Sequence, residues 1–139
     1  MKIIVCGAGQ VGFDIARQLS VEDNDVTVID HDTERIRKVS EALDVQTFQG
    51  FASYPDILER AGADTADMLI AVTLSDEINM VSCQVGHTLF NVPIKMARVR
   101  HNAYLEASWR HLFSRDHMPI DVLISPENEV VAAIHRVLE

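Results

Sequence analysis

The sequence predicts one α/β domain, a doubly wound parallel sheet of about six strands with helices on both faces and a C-terminal helix. Three observations predict it. An apolar, β-branched run, Ile3-Ile4-Val5, leads straight into Gly7-Ala8-Gly9-Gln10-Val11-Gly12 and then into residues at helical spacing. Short apolar strands and amphipathic helices then alternate along the whole chain, the pattern of parallel strands joined by helical crossovers. The second strand, Val26–Ile29, ends in Asp30, an acid at roughly the 20-residue distance from the glycines that a dinucleotide fold uses. Together they describe a Rossmann-like domain.

Each element has its own signal. Ile3-Ile4-Val5 lacks polar alternation and fits a strand buried on both faces. Gly7 allows the tight turn after it, Gly9 lets a pyrophosphate approach the backbone, and Gly12 lets the next helix pack close to the strand. That helix opens at Gln10–Val11, points backbone N–H groups at the phosphates, and carries Val11, Ile15, Ala16 and Leu19 on one face. Glu22-Asp23-Asn24-Asp25 is a polar turn before the second strand. Asp32 is placed to cap a second helix with Ile36, Val39 and Leu43 inward. Asp44–Gln49 reads as a third strand ending at Gly50, and Ile57, Leu58 and Ala61 mark a short helix closed by Gly62.

Ala66–Val72 is the most continuous apolar strand and is expected at the sheet centre. Ser75 or Asp76 can cap the helix that follows, whose predicted inner face is Ile78, Val81, Val85 and Leu89. Pro93 leads into a fifth strand, Ile94–Val99. Asn102 can cap a helix burying Leu105, Trp109 and Leu112, and Ile120–Ile124 is the sixth strand. Ser125-Pro126 starts the last helix, about 126–139, with Ser at the cap and Pro at the first helical position.

Composition narrows the function. At 139 residues, the chain matches one domain of the usual roughly 100–200, and 47% hydrophobic residues can fill one core. A formal net charge of −9 argues against a sequence-independent nucleic-acid binder and against a polybasic membrane anchor. The apolar run after Lys2 is too short for a signal peptide, and no run approaches the roughly 18 apolar residues of a membrane span. Cys6 and Cys83 form no C-x-x-C pair, so a reduced, cytoplasmic setting is expected. The six histidines show no H-E-x-x-H or mixed Cys/His spacing, so no protein-built metal site is expected and each reads as a surface or boundary residue.

In an open parallel sheet, ligands bind outside the carboxyl ends of the strands, where the strand order switches. The residues to weigh are therefore Gly7, Ala8, Gly9, Gln10, Val11 and Gly12, then Asp30, Gly50–Ser53, Thr73–Glu77 (Thr73 and Leu74 first) and Arg98. Asp30 is the expected acceptor for ribose hydroxyls, and its charge favours NAD or NADH over a 2′-phosphorylated cofactor. Arg35 reads as a solvated charge on a helix surface. Thr73 and Leu74 fit either a cofactor contact or an ordinary strand-to-helix turn, and Arg98 fits either a phosphate or a carboxylate partner. Asp76 and Glu77 are accounted for by capping. The Tyr and Lys four apart of short-chain dehydrogenases is absent, since Leu58 follows Tyr54 and Ser108 follows Tyr104.

A run of motifs carries a resemblance over essentially the whole chain: Met1-Lys-Ile-Ile with the glycine turn, Val28-Ile-Asp30, Ala61-Gly-Ala-Asp64, Ala66–Thr73, Ser75-Asp-Glu77, Asn79-Met80, Leu89-Phe-Asn91, Ala97-Arg-Val-Arg100, Pro119-Ile-Asp121 and Leu123–Glu127. The chain resembles the N-terminal RCK (KTN) nucleotide-binding domain of the regulatory subunits of bacterial Trk potassium-uptake systems. The resemblance implies a single RCK domain over residues 1–139 that binds NAD or NADH, or ATP or ADP, without catalysis. It implies a Trk-type membrane potassium transporter as partner, a peripheral cytoplasmic location, and nucleotide contacts at Gly7 to Val11, Asp30, Thr73, Leu74 and Arg98. Relatives that prefer ATP place an Arg where this chain has Gln10, which tilts the expectation towards NAD or NADH. The last helix bears a stripe, Val130, Val131, Ile134, Val137 and Leu138, expected to be uncovered by the chain; the resemblance implies that it is a C-terminal crossover helix packing between subunits, with the stripe buried in a homodimer or higher homo-oligomer. Two classes stay open: a ligand-sensing regulatory module, or the cofactor domain of an NAD-dependent oxidoreductase lacking its substrate domain.

Overall fold

The strands expected from the sequence all form, and all run parallel. In the computed structural model, which describes residues 1–124 together with Ile134 and Arg136, they are β1 (Lys2–Cys6), β2 (Asp25–Asp30), β3 (Gln46–Gln49), β4 (Met68–Ala71), β5 (Ile94–Arg98) and β6 (Val122–Ile124). They make one six-stranded sheet in the order β3-β2-β1-β4-β5-β6, with register such as Val5 opposite both Val28 and Ile70. The connecting helices are α1 (Gln10–Val21), α2 (Thr33–Ala42), α3 (Pro55–Arg60), α4 (Asp76–Phe90) and the single turn α5 (Asn102–Leu105). From β1 the chain builds outward to β2 and β3, then returns to lay β4 on the other side of β1. The loops after β1 and β4 therefore part from each other, and a crevice opens between them.

Because side chains alternate across a strand, β1 feeds two cores. Ile4 and Cys6 enter a layer with Leu58, Leu69, Met80 and Cys83. Ile3 and Val5 enter the opposite layer with Ile15, Leu19, Val28, Met68, Ile70 and Met96. Burial drives both Cys thiols towards the neutral form; that of Cys6 is pushed up to about 12, and that of Cys83 is raised as well. A buried lysine sits among these strands. Lys95 is fully buried in β5, with Nζ donating to the Val92 carbonyl at 2.8 Å and lying 3.2 Å from Asp121 Oδ2.

Two helical expectations are corrected. The inner face of α4 is Asn79, Met80, Ser82, Cys83 and Gly86, while Val81 and Leu89, expected inside, are 44% and 57% exposed. Small residues let this helix lie close on the sheet, and a Cβ at Gly86 would come within 3.2 Å of Leu69 Cδ1. Close approach, rather than the bulkiest stripe, decides which way α4 faces. The segment after β5 makes the single turn α5 and a 3-10 turn at Arg110–Leu112 instead of a long helix. His101, not Asn102, is its cap, with Nδ1 accepting from the Ala103 N–H, and Glu106 returns to extended backbone. Trp109 is 55% exposed rather than core, Leu112 is exposed and Leu105 only half-buried. The segment is held to the core by Tyr104, Phe113 and Met118 instead.

Smaller departures have similar causes. Asp32 caps α2 as expected, accepting from the Glu34 and Arg35 amides, yet only Val39 of that helix is fully buried; Ile36 and Leu43 are half-buried. Ile134 is fully buried in the layer with Ile3 and Ile15. The chain thus covers this member of the stripe itself. The helix start Ser125-Pro126 and the remaining stripe residues Val130, Val131, Val137 and Leu138 lie outside the described residues.

Candidate functional site

The crevice is built from the glycine turn outward. Gly7 has φ +111°, a conformation that L side chains resist, and its amide donates to the Ile29 carbonyl at 2.7 Å. A Cβ at Gly12 would sit 1.8 Å from the Gly7 carbonyl oxygen, so this glycine sets how closely α1 meets the turn. A Cβ at Gly9 would meet nothing within 4 Å. Gly9 is the N-cap residue of α1 and supplies no side-chain cap, which leaves the positive end of a twelve-residue helix without a competing acceptor from that position.

Asp30 stands across the turn, 6% exposed. Its Oδ2 accepts the Ala8 amide at 2.7 Å and its Oδ1 accepts the Asp32 amide at 2.8 Å, so one carboxylate ties the turn after β1 to the start of α2. Ala8 thus holds Asp30 in place. Arg35, expected as a solvated charge, instead brings Nη1 to 3.8 Å from Asp30 Oδ2, and His31 Nδ1 lies 3.7 Å from Oδ1.

The far wall comes from the ends of β4 and β5. The Thr73 amide and hydroxyl both donate to Asn79 Oδ1, at 2.9 and 2.6 Å. Asn79 Nδ2 donates to the carbonyls of Thr73 and Arg98, at 3.1 and 2.8 Å. Arg98, 3% exposed, donates through Nη2 to the Thr73 carbonyl at 2.9 Å. The ladder between β4 and β5 pairs Ala71 with Ala97 and runs no further, so Asn79 supplies the next rung with its side chain. Ser75 caps α4 by accepting the Ile78 amide, and the Asp76 carboxylate accepts the amides of Arg100 and His101, both at 2.9 Å.

These walls enclose a cavity of about 400 Å³. Of the residues expected at the site, Gly7, Gly9, Gln10, Val11, Asp30, Thr73, Leu74 and Arg98 line it together. Ala8 and Gly12 stand behind that lining, in structural roles. Gly50, Phe51 and Ala52, from the expected stretch Gly50–Ser53, and Ser75 line the cavity too. Sequence reasoning missed Arg35, Arg100, His31 and Ile78 in the lining and Asn79 behind it. Asn79 left a trace, as a polar residue beside the wrongly chosen face of α4. Within an acidic chain the cavity is locally cationic, with Arg35, Arg98 and Arg100 against the single carboxylate of Asp30. That balance suits a ligand carrying two or more phosphate charges. Among the described residues, no group of three His, Cys, Asp or Glu side chains could hold a metal ion.

Fold and crevice together define a Rossmann-type α/β domain. More narrowly, the chain belongs to the TrkA-N domain family, whose model matches residues 3–126. It is 58% identical over 136 residues to the Trk system potassium uptake protein TrkA of Azorhizobium caulinodans, an alignment covering 98% of this chain and 30% of the relative. The chain therefore spans about a third of the length of the curated relatives it matches. Among solved structures it is similar to the TrkA-N domain of inner membrane protein ybaL from Escherichia coli, with a TM-score of 0.76, 18% identity, and 99% and 96% of the two chains covered. It is also similar in fold to the GsuK channel bound to NAD, with a TM-score of 0.72, 16% identity, and 89% and 21% covered. Among the described residues, no helix is long and apolar enough to cross a membrane.

Proposed function

We propose that this chain is a nucleotide-sensing regulatory domain of a bacterial potassium-uptake system, binding NAD or NADH in the crevice between β1 and β4. The observation that carries the reading is the convergence at one switch point of an open glycine turn, a buried carboxylate and a buried arginine. The pyrophosphate lies over Gly9 and the N-terminus of α1, within reach of Arg98; Asp30 takes the ribose hydroxyls. Gln10 adds no positive charge, so ATP and ADP are weaker ligands of the same crevice. The domain binds and releases its nucleotide unchanged. It acts from the cytoplasmic side as a homodimer or higher homo-oligomer docked on a Trk-type transporter subunit. Control of transport then requires that the nucleotide prefer one of two conformations, since equal affinity for both moves nothing.

Thr73 and Leu74 fit this scheme as the contact that feels the ligand. The Thr73 hydroxyl donates inward to Asn79 and accepts the Ser75 amide at 3.2 Å, which leaves one lone pair to accept from a ribose or amide donor. Titration calorimetry with NADH, NAD+, NADPH, ADP and ATP tests the reading. NAD(H) is expected to bind most tightly, and Asp30→Asn to weaken it by about 1–3 kcal/mol. A wild-type affinity no better for NAD(H) than for NADPH, or one untouched by Asp30→Asn, contradicts it. Light scattering at high micromolar concentration that finds only monomer contradicts the oligomer.

A further inference from the structure

The wall that carries Arg98 is held by a residue outside the cavity lining. Asn79 is fully buried near the start of α4 and lies behind that lining. Its side-chain amide is used in full. Oδ1 accepts the Thr73 amide and hydroxyl, and Nδ2 donates to the carbonyls of Thr73 and Arg98. The Thr73 carbonyl is the pivot. It lies beyond Ala71 and Ala97, the last pair of the β4–β5 ladder, so the ladder does not fix it. A carbonyl oxygen has two lone pairs. Here its partners are Asn79 Nδ2 at 3.1 Å and Arg98 Nη2 at 2.9 Å.

Both ends of Arg98 therefore refer back to one buried amide. Asn79 holds its main chain directly, through the Arg98 carbonyl at 2.8 Å, and its guanidinium through Thr73. Asp76, earlier on α4, accepts the amides of Arg100 and His101 at 2.9 Å and secures the continuation of the same strand end. The residue type follows from the task. The position needs an acceptor for an N–H and an O–H, and two donors for carbonyls, on a side chain short enough to lie between two strand ends. An aspartate lacks the donors, a serine has one, and a glutamine carries an extra methylene. An arginine side chain has many rotamers, and one that must be ordered at each binding event loses part of its grip to that ordering. We propose that Asn79 is a positioning residue for the crevice: it fixes the Thr73 carbonyl against which the Arg98 guanidinium rests, and so presets the arginine for the diphosphate of a nucleotide. The inference rests on the nucleotide reading above and deepens it, since it assigns the strength of the phosphate grip to a side chain that touches no ligand.

A double-mutant cycle tests it. Calorimetry with NADH and with ADP, which both carry a diphosphate, compares the wild-type chain, Asn79→Ala, Arg98→Met and the double variant. A thermal melt confirms that each is folded at the titration temperature. Asn79→Ser, which keeps a short polar side chain, goes through the same cycle, so the test does not depend on how well the alanine variant folds. Arg98→Met is expected to weaken binding by about tenfold, a typical loss for a charge-assisted hydrogen bond. Asn79→Ala and Asn79→Ser should lose a similar factor, and the double variants should bind no worse than Arg98→Met alone, because Asn79 acts through the arginine. A merely structural Asn79 gives losses that multiply, to about a hundredfold in the double variant. That result overturns the proposal, as does wild-type affinity in the Asn79 variants or in Arg98→Met, and the nucleotide reading stands in each case. A wild-type chain that binds neither NADH nor ADP overturns the nucleotide reading and this inference with it.

Discussion

Asp30 carries two loads at once. Its carboxylate oxygens accept the Ala8 and Asp32 amides, and the same group faces the cavity beside Arg35. Removal by Asp30→Ala therefore strands two backbone donors as well as the ligand contact, and a loss of about 2 kcal/mol in urea-denaturation stability is expected, beyond any loss of affinity. Lys95 is the opposite case, a buried lysine outside the cavity lining. Asp121→Ala removes the carboxylate that accompanies it and is expected to cost about 2 kcal/mol, read by the same denaturation. The thiols set a pH dependence. In the unfolded chain a thiol ionises near 9.0, whereas in the native state burial lets Cys6 hold its proton up to about 12. The native state therefore keeps more protons across that window, and the stability it owes to buried neutral sulfur falls as pH rises from about 9 towards 12. Denaturation curves should show that decline, and it should shrink in Cys6→Ala. Below that window native thiols should stay unreactive towards a disulfide reagent until the protein unfolds.

The elements differ in how plainly the sequence announces them. Strands in a parallel sheet are buried on both faces, so Ile3–Val5 and Met68–Ala71 are apolar without interruption and read directly. Helices touch the sheet on one side only, and the side that touches need not be the bulkiest. In α4, Ser82, Cys83 and Gly86 win over Val81 and Leu89 because they allow a shorter distance to the sheet, and Asn79 is buried because all four of its hydrogen bonds are met. Hydrophobic spacing records neither fact. The long helix expected through Trp109 fails similarly, since its spacing is helical but the chain leaves the helix at Glu106 and anchors through Tyr104 and Phe113. At this scale Asn79→Ala is the telling substitution. It removes the side-chain partner of the Arg98 carbonyl and of the Thr73 amide where β4 and β5 end, and a cost of about 3 kcal/mol in folding stability is expected, with Asn79→Asp restoring only part of it.

In the whole molecule, one topological event places the site. The return from β3 to β4 parts two loops, and the glycine turn, Asp30, Thr73 and Arg98 meet around the gap. The glycine turn and the acid of the crevice were legible in the sequence, because a glycine that must be glycine and an acid that must follow a strand leave local marks. His31 and the arginines at 35 and 100 were not, because strand register and loop approach bring them in. The central claim is that a dinucleotide occupies this gap, and amide chemical-shift mapping of the chain titrated with NADH tests it most directly. The largest changes are predicted at Gly7, Gly9, Gln10, Asp30, Phe51, Thr73 and Arg98, on both sides of the switch point. Shifts absent from these residues, or gathered instead around Trp109 on the far side of β5, would contradict it.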